Sequence, residues 1–169
     1  VSIDGYLSVT MSAMAVLNDM AGGVTVTIDE PGMEKRDPSL VYGETITLQG
    51  EQAETYVRYR DTDVSQSALG RMDRHREYAG KWMAQAAEKQ RQDSQFLGNV
   101  FNSIQSYMVT NLNKDEYLDA GLAVMQTEGI LNGDHFFTVP GEGMEGVVYD
   151  EFYPDKEALE EMIIELFYK

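Results

Sequence analysis

Hydrophobic and polar positions change their period several times along the chain, and each change marks an element. Residues 3–9 (Ile-Asp-Gly-Tyr-Leu-Ser-Val) read as a first strand with no earlier element to pair with. Either a later strand covers it or the chain is the downstream part of something longer. Thr10 is placed to cap a helix over 11–21, where Met11, Met14, Ala15, Leu17 and Met20 recur at helical spacing until Gly22-Gly23 stops it. Val24-Thr-Val-Thr-Ile28 alternates as a half-buried strand does, and Thr45–Leu48 alternates again. Between them, residues 29–43 hold Pro31, Pro38, glycines and mixed charge, the composition of a long surface loop.

The second half reads as mostly helical. Gly50–Tyr56 has a short helical period, and Gly70 to about Gln92 is rich in strong helix formers, with Tyr78, Trp82, Met83 and Ala86 as its buried stripe. A helix over roughly 94–108 follows, with Leu97, Val100, Phe101, Ile104 and Met108 on one face. Asn113 and Glu116 make a capping box for the next, with Leu112 able to staple onto Tyr117. Strands are expected at 135–139 and 147–150, joined by a loose Pro140–Gly146 link. A last helix starts near Asp155 after Pro154, with Leu159, Met162, Ile163, Leu166 and Phe167 on its face. Strands and helices alternate without an internal repeat, which predicts one α/β domain over 1–169: a small mixed sheet flanked by helices in αβα layers.

Composition narrows the chemistry. The 169 residues are 25% charged and 43% hydrophobic, a folded domain's balance, and a chain this long buries roughly 70% of its unfolded surface. Without cysteine, disulfides, thiol catalysis and thiolate metal sites are excluded, and two histidines leave little for a histidine-rich centre. The uncharged run 94–113 is long enough to span a bilayer, but half its positions are Ser, Thr, Asn or Gln, so the chain reads as soluble. A net charge of −16 repels phosphate backbones and anionic lipid surfaces, which disfavours nucleic-acid binding.

Charge is not evenly spread. Eight of the thirteen Lys and Arg residues lie within 58–91, beside only five acids, so this window is locally positive in an acidic protein. Arg58 and Arg60 are two apart and share a side if the backbone is extended, whereas Arg71 and Arg74 are three apart near a helix start and share a helical face. Two arginine pairs beside a helix N-terminus make a clamp for phosphate or pyrophosphate, since the guanidinium fork donates in parallel to two oxygens. The plainer reading pairs these arginines with Asp73 and Glu77 in solvent. Asp61 and Asp63 either ligate Mg²⁺ through one or two carboxylates or neutralise neighbouring arginines. His75 is a hydrogen-bonding group of such a site or a solvated side chain, and His135 reads as structural. The Met11/Met14/Met20 stripe reads first as core packing, although methionines also suit an adaptable lipid-accepting pocket.

The segment Gly50-Glu-Gln-Ala-Glu-Thr-Tyr-Val-Arg-Tyr-Arg60, followed by Gly70-Arg-Met-Asp-Arg-His-Arg76, resembles the two-part arginine motif of the LytR–CpsA–Psr family of bacterial cell-envelope proteins. Leu17-Asn-Asp-Met-Ala-Gly-Gly-Val-Thr-Val26, Thr110-Asn-Leu112 and Leu166-Phe-Tyr168 are similar to the family as well, so the likeness runs over nearly the whole chain. It departs at Ala68, where many members carry Asp, and at His75, where they carry Gln.

The resemblance implies an extracytoplasmic enzyme, anchored by one N-terminal helix, that binds a polyprenyl-pyrophosphate lipid and transfers a phosphorylated glycopolymer onto peptidoglycan with Mg²⁺ assisting. It implies that Arg58, Arg60 and Arg71 hold the pyrophosphate as catalytic and substrate-binding residues, with Arg74 and His75 beside them and the lipid tail in an apolar tunnel. It also implies that the likeness begins mid-domain, with the family's N-terminal half and anchor upstream. Three functions stand at this point: a glycopolymer transferase, a polyprenyl-pyrophosphate-binding module without catalysis, and an envelope-related regulator that makes no direct DNA contact. A homodimer covering an open sheet edge is a further possibility.

Overall fold

A computed structural model describes residues 3–65, 67–127 and 137–168. The order is β1 (Leu7–Val9), α1 (Ala13–Ala21), β2 (Thr25–Thr27), β3 (Thr45–Thr47), α2 (Glu51–Arg58), α3 (Ser67–Gln92), α4 (Phe96–Ile104), β4 (Met108–Thr110), α5 (Lys114–Gln126), β5 (Gly141–Glu145), β6 (Asp150–Pro154) and α6 (Lys156–Phe167). The class is α/β, helices with small sheets, as the alternation predicts. The strands do not join into one mixed sheet, however. Among the described residues they form three antiparallel pairs, β1–β4, β2–β3 and β5–β6. Alternation shows that a strand has one buried face but not which neighbour it takes.

The principal core forms where the pattern is clearest. Val24, Val26 and Ile28 are fully buried, while Thr25 and Thr27 face outward and pair hydroxyl to hydroxyl with Thr47 and Thr45, each at 2.9 Å. Leu48, Ala53, Tyr56, Val57 and Tyr78 close over them. The loop 29–43 is more than surface, because Met33 and Leu40 are buried in this same core and pin it from both ends. Composition hid this, since two anchor residues suffice to seat a loop otherwise made of turn formers.

One buried amide ties these pieces together. Asn18, in the last turn of α1, is fully buried; its Nδ2 donates to the Leu48 carbonyl at 2.8 Å and to Asp19 Oδ1 at 3.0 Å. Its Oδ1 accepts from the Val24 N–H at 3.1 Å and the Tyr78 hydroxyl at 3.2 Å, so all four hydrogen-bonding positions of the amide are used. Asp19 Oδ1 also takes the Gly50 N–H at 2.7 Å, where α2 begins. Gly23 follows at φ +85°, and a Cβ there would lie 2.7 Å from the Leu48 carbonyl oxygen. Only glycine permits that approach. The Asn-Asp…Gly-Gly stretch is therefore a joint between α1, α2, α3 and the β2–β3 pair.

Several elements depart from expectation. The first strand is shorter than 3–9 and does have a partner: Leu7 to Val9 pair with Thr110 to Met108. That partner lies where a helix running to 108 was expected; α4 stops at Ile104, and a short 3₁₀ turn, Gln105–Tyr107, leads into β4. β5 occupies most of the Pro140–Gly146 segment read as a link, residues 137–139 carry no strand, and β6 begins at Asp150 rather than ending there. His135 and Phe136 of the expected 135–139 strand lie outside the described residues. The capping box of α5 is present in both directions, Asn113 to the Glu116 N–H and Glu116 to the Asn113 N–H. Asp155 caps α6, yet Ile163 and Phe167 on its apolar face are exposed.

Candidate functional site

α2 presents the first half of the arginine motif differently from the expectation of an extended pair. Arg58 is the last helical residue, and the backbone extends only at Tyr59 (φ −54°, ψ 136°), which turns Arg60 off the helix end. Both nevertheless line one cleft of about 630 Å³, together with Glu51, Glu54, Thr55, Tyr59 and a third arginine, Arg36. Arg58 Nη1 meets Glu54 Oε1 at 2.8 Å in an exposed pair, and Arg60 Nε donates to Ser67 Oγ at 3.0 Å at the start of α3. Arg36 forms no ion pair among the described residues. Arg36 lies outside the cationic window of the sequence, in the loop that Met33 and Leu40 seat.

The second half of the motif divides its labour. Arg74 is buried, ion-pairs with Glu30, donates to the Tyr59 carbonyl and sits 5.8 Å from the centre of the Tyr59 ring. Its guanidinium is thus held inside the protein and braces the backbone between Arg58 and Arg60, rather than facing the cleft as a substrate ligand would. The Tyr59 hydroxyl donates to the Pro31 carbonyl at 3.0 Å, and burial, followed by the nearby acids Asp61, Glu30 and Glu34, raises its pKa and keeps it a donor. His75 Nε2 lies 2.7 Å from the Val57 carbonyl; a carbonyl only accepts, so that nitrogen carries the proton and His75 ties α3 to the last turn of α2.

Arg71 is placed otherwise. It is not among the residues lining the Arg36–Arg58–Arg60 cleft, and it has no ion pair or hydrogen bond among the described residues. Its Nε is buried without a partner. Positions 71, 78 and 82 share one face of α3 by the 3.6-residue period, and Tyr78 and Trp82 form a wall of a second, apolar cavity of about 410 Å³. Met14 and Leu17 of α1, Leu97 and Phe101 of α4 and Val124 of α5 complete that wall. Phe101 packs on Tyr117 at 4.6 Å between ring centres, and Trp82 Nε1 donates to the Leu17 carbonyl at 2.7 Å, so the polar edge of the indole is satisfied while its body faces the cavity. Met14 and Met20 pack against the two cores while Met14 also faces the cavity, joining the two readings of the methionine stripe; Met11 is exposed.

Asp61 and Asp63, the two carboxylates that the sequence offers for Mg²⁺, are engaged locally. Asp61 Oδ1 accepts the Asp63 N–H at 3.0 Å in a local turn, and neither carboxylate lines the arginine cleft. Among the described residues no three His, Asp or Glu side chains converge, and no helix is long and apolar enough to cross a membrane.

Solved structures share this fold. Protein gbs0355 from Streptococcus agalactiae is similar at 19% identity and a TM-score of 0.70, over 98% of this chain and 57% of that one. TagT bound to LI-WTA is similar at 18% identity and a TM-score of 0.70, over 98% and 60%. TagU of B. subtilis follows at 23% identity and a TM-score of 0.55, over 98% and 64%. The chain therefore spans roughly three fifths of the length of these solved chains. No curated protein sequence matches it. The arginine motif, the Asn-Asp…Gly-Gly joint and the apolar cavity all lie within residues 1–167, the stretch that matches the LytR_cpsA_psr family, and the chain belongs to that family.

Proposed function

We propose that this chain supplies the binding site for a polyprenyl-pyrophosphate-linked glycopolymer in an extracytoplasmic, membrane-anchored protein that moves the phosphorylated glycopolymer onto peptidoglycan. The observation that carries this reading is the shared face of α3: Arg71, without a partner among the described residues, stands two turns above Tyr78 and three above Trp82, and those two aromatics line the apolar cavity. One helix face thus offers a cation followed by a hydrophobic slot, the complement of an amphiphile with an anionic head. Arg58 and Arg60 line a separate cleft and give it positive charge.

In the transfer an acceptor hydroxyl forms a new bond to the phosphorus that bears the glycopolymer. The bond from that phosphorus to the bridging oxygen breaks, polyprenyl phosphate leaves, and the hydroxyl proton passes to a base. In phosphoryl transfer a protein chiefly positions the reactants and stabilises charge on the non-bridging oxygens. Arg58, Arg60 and Arg71 are suited to that task, while Arg74 and His75 hold the backbone that carries the first two. Mass spectrometry of lipid bound to the purified protein tests the reading. Polyprenyl phosphate species are expected with the unaltered chain and lost from Arg71→Ala; equal lipid in both would sink it.

A second reading, binding without catalysis, is favoured by Ala68, which stands where many members of the family carry Asp. It predicts bound lipid but no glycopolymer transfer, and transfer by this chain would overturn it.

A further inference from the structure

Arg36 belongs to neither half of the arginine motif, yet the fold delivers it to the cleft of Arg58 and Arg60. Its placement is built from several directions. Gly32 stands at φ +94°, and a Cβ there would lie 2.4 Å from the Tyr59 hydroxyl oxygen, so glycine lets the loop close down on Tyr59. Tyr59 then holds the loop by donating to the Pro31 carbonyl at 3.0 Å, and Arg74 holds both sides through Glu30 and the Tyr59 carbonyl. A short 3₁₀ turn, Met33–Lys35, follows; Met33 is fully buried, and the Arg36 N–H closes the turn on the Met33 carbonyl at 2.8 Å. The backbone under Arg36 is therefore fixed to the residue that separates Arg58 from Arg60.

We propose that Arg36, outside both halves of the motif, is a third anion-binding arginine of this site. This rests on the reading that the cleft of Arg58 and Arg60 binds phosphate. Arg58 is already hydrogen-bonded to Glu54, and Arg60 gives its Nε to Ser67, so each keeps only part of its fork for a ligand. Arg36 has its whole guanidinium available among the described residues, and three forks match the oxygens of a pyrophosphate better than those of a single phosphate.

Calorimetric titration of the full chain with inorganic pyrophosphate, and separately with inorganic phosphate, tests this. Arg36→Gln is expected to weaken pyrophosphate binding about tenfold. Lys35→Gln, the same charge change one residue away on an exposed side chain, is expected to weaken it by no more than about twofold. Arg36→Lys should restore part of the loss, as a point charge does without the fork. A loss with Arg58→Gln but none with Arg36→Gln overturns the proposal and leaves the cleft's phosphate reading standing. Equal losses for Arg36→Gln and Lys35→Gln also overturn it, because they mark a distant field rather than a contact. No pyrophosphate binding by the unaltered chain overturns both.

Discussion

The buried guanidinium of Arg74 donates to the backbone carbonyl of Tyr59, the residue that separates Arg58 from Arg60. A side chain from the second half of the motif thereby fixes the angle at which the first half leaves its helix. The motif works as a unit because one of its arginines supports the others.

Arg74→Ala should accordingly cost stability. It leaves Glu30, itself mostly buried, without its counter-charge and the Tyr59 carbonyl without its donor. A loss of about 2–4 kcal/mol is expected in chemical denaturation. If Arg74 faced the ligand instead, the same variant would fold normally and lose only anion binding. Arg74→Lys should recover less than half, because an ammonium cannot donate in two fixed directions at once.

The Asn18 joint yields a graded series. Tyr78→Phe removes one of two donors to the Asn18 oxygen and should cost about 1 kcal/mol. Asn18→Leu leaves the Val24 N–H, the Leu48 carbonyl and the Tyr78 hydroxyl unpaired in the core and should cost at least about 3 kcal/mol. Equal costs for the two variants would show that the amide is not the hub of the joint.

How far the sequence made this visible depends on the kind of information each feature needs. The β2 alternation, the capping box at Asn113 and Glu116 and the cap at Asp155 are local, and the structure has each of them. Pairing is not local: nothing in Met108–Thr110 announces that it lies against Leu7–Val9 a hundred residues earlier. The arginine cluster was legible as a cluster, but the division of roles was not. Residues 71 and 74 lie one helical turn apart, and only packing decides that Arg74 turns into the protein against Glu30 while Arg71 finds no partner among the described residues. Arg36 was invisible for the opposite reason, since its membership depends on a loop whose seating rests on two buried side chains.

Alkaline pH should destabilise the fold through two phenols. Burial raises the pKa of Tyr56, helped by Glu77 and Asp29, and burial with Asp19 raises that of Tyr78. In the unfolded chain both ionise near pH 10, so their contribution is complete below that pH and is lost as pH climbs toward the higher folded values. Each phenol adds a slope of about 1.4 kcal/mol per pH unit in that window. Urea midpoints between pH 8 and 11.5 should stay flat to about pH 10 and then fall, and Tyr56→Phe should make the fall shallower. A fall beginning near pH 8 would assign the loss to other groups.

Glu54 competes with any anion for Arg58, since Nη1 and Oε1 are 2.8 Å apart in an exposed pair. Glu54→Gln frees that guanidinium and removes a negative charge from the cleft wall. It should tighten inorganic pyrophosphate binding several-fold at low salt, with the gain shrinking as ionic strength rises. Little stability should be lost, because an exposed i,i+4 pair contributes only about 0.3–0.5 kcal/mol. Weaker binding by this variant would mean that Glu54 orients Arg58 for the ligand instead of occupying it.

The cavity and the cationic groups can be separated by filling one of them. Ala79 lines the cavity from α3, one helical turn before Met83, and a larger apolar side chain there occupies space that a lipid tail would need. Ala79→Leu adds volume to a slot of about 410 Å³ and should leave the fold intact, because the added methyl groups enter open space instead of packed core. Bound polyprenyl species should fall about tenfold while inorganic pyrophosphate binds as before, since the arginines of the other cleft are untouched. If both fall together, the cavity and the cleft are coupled through packing, and the two-part description of the site gives way to one continuous pocket. If neither falls, the cavity holds no tail.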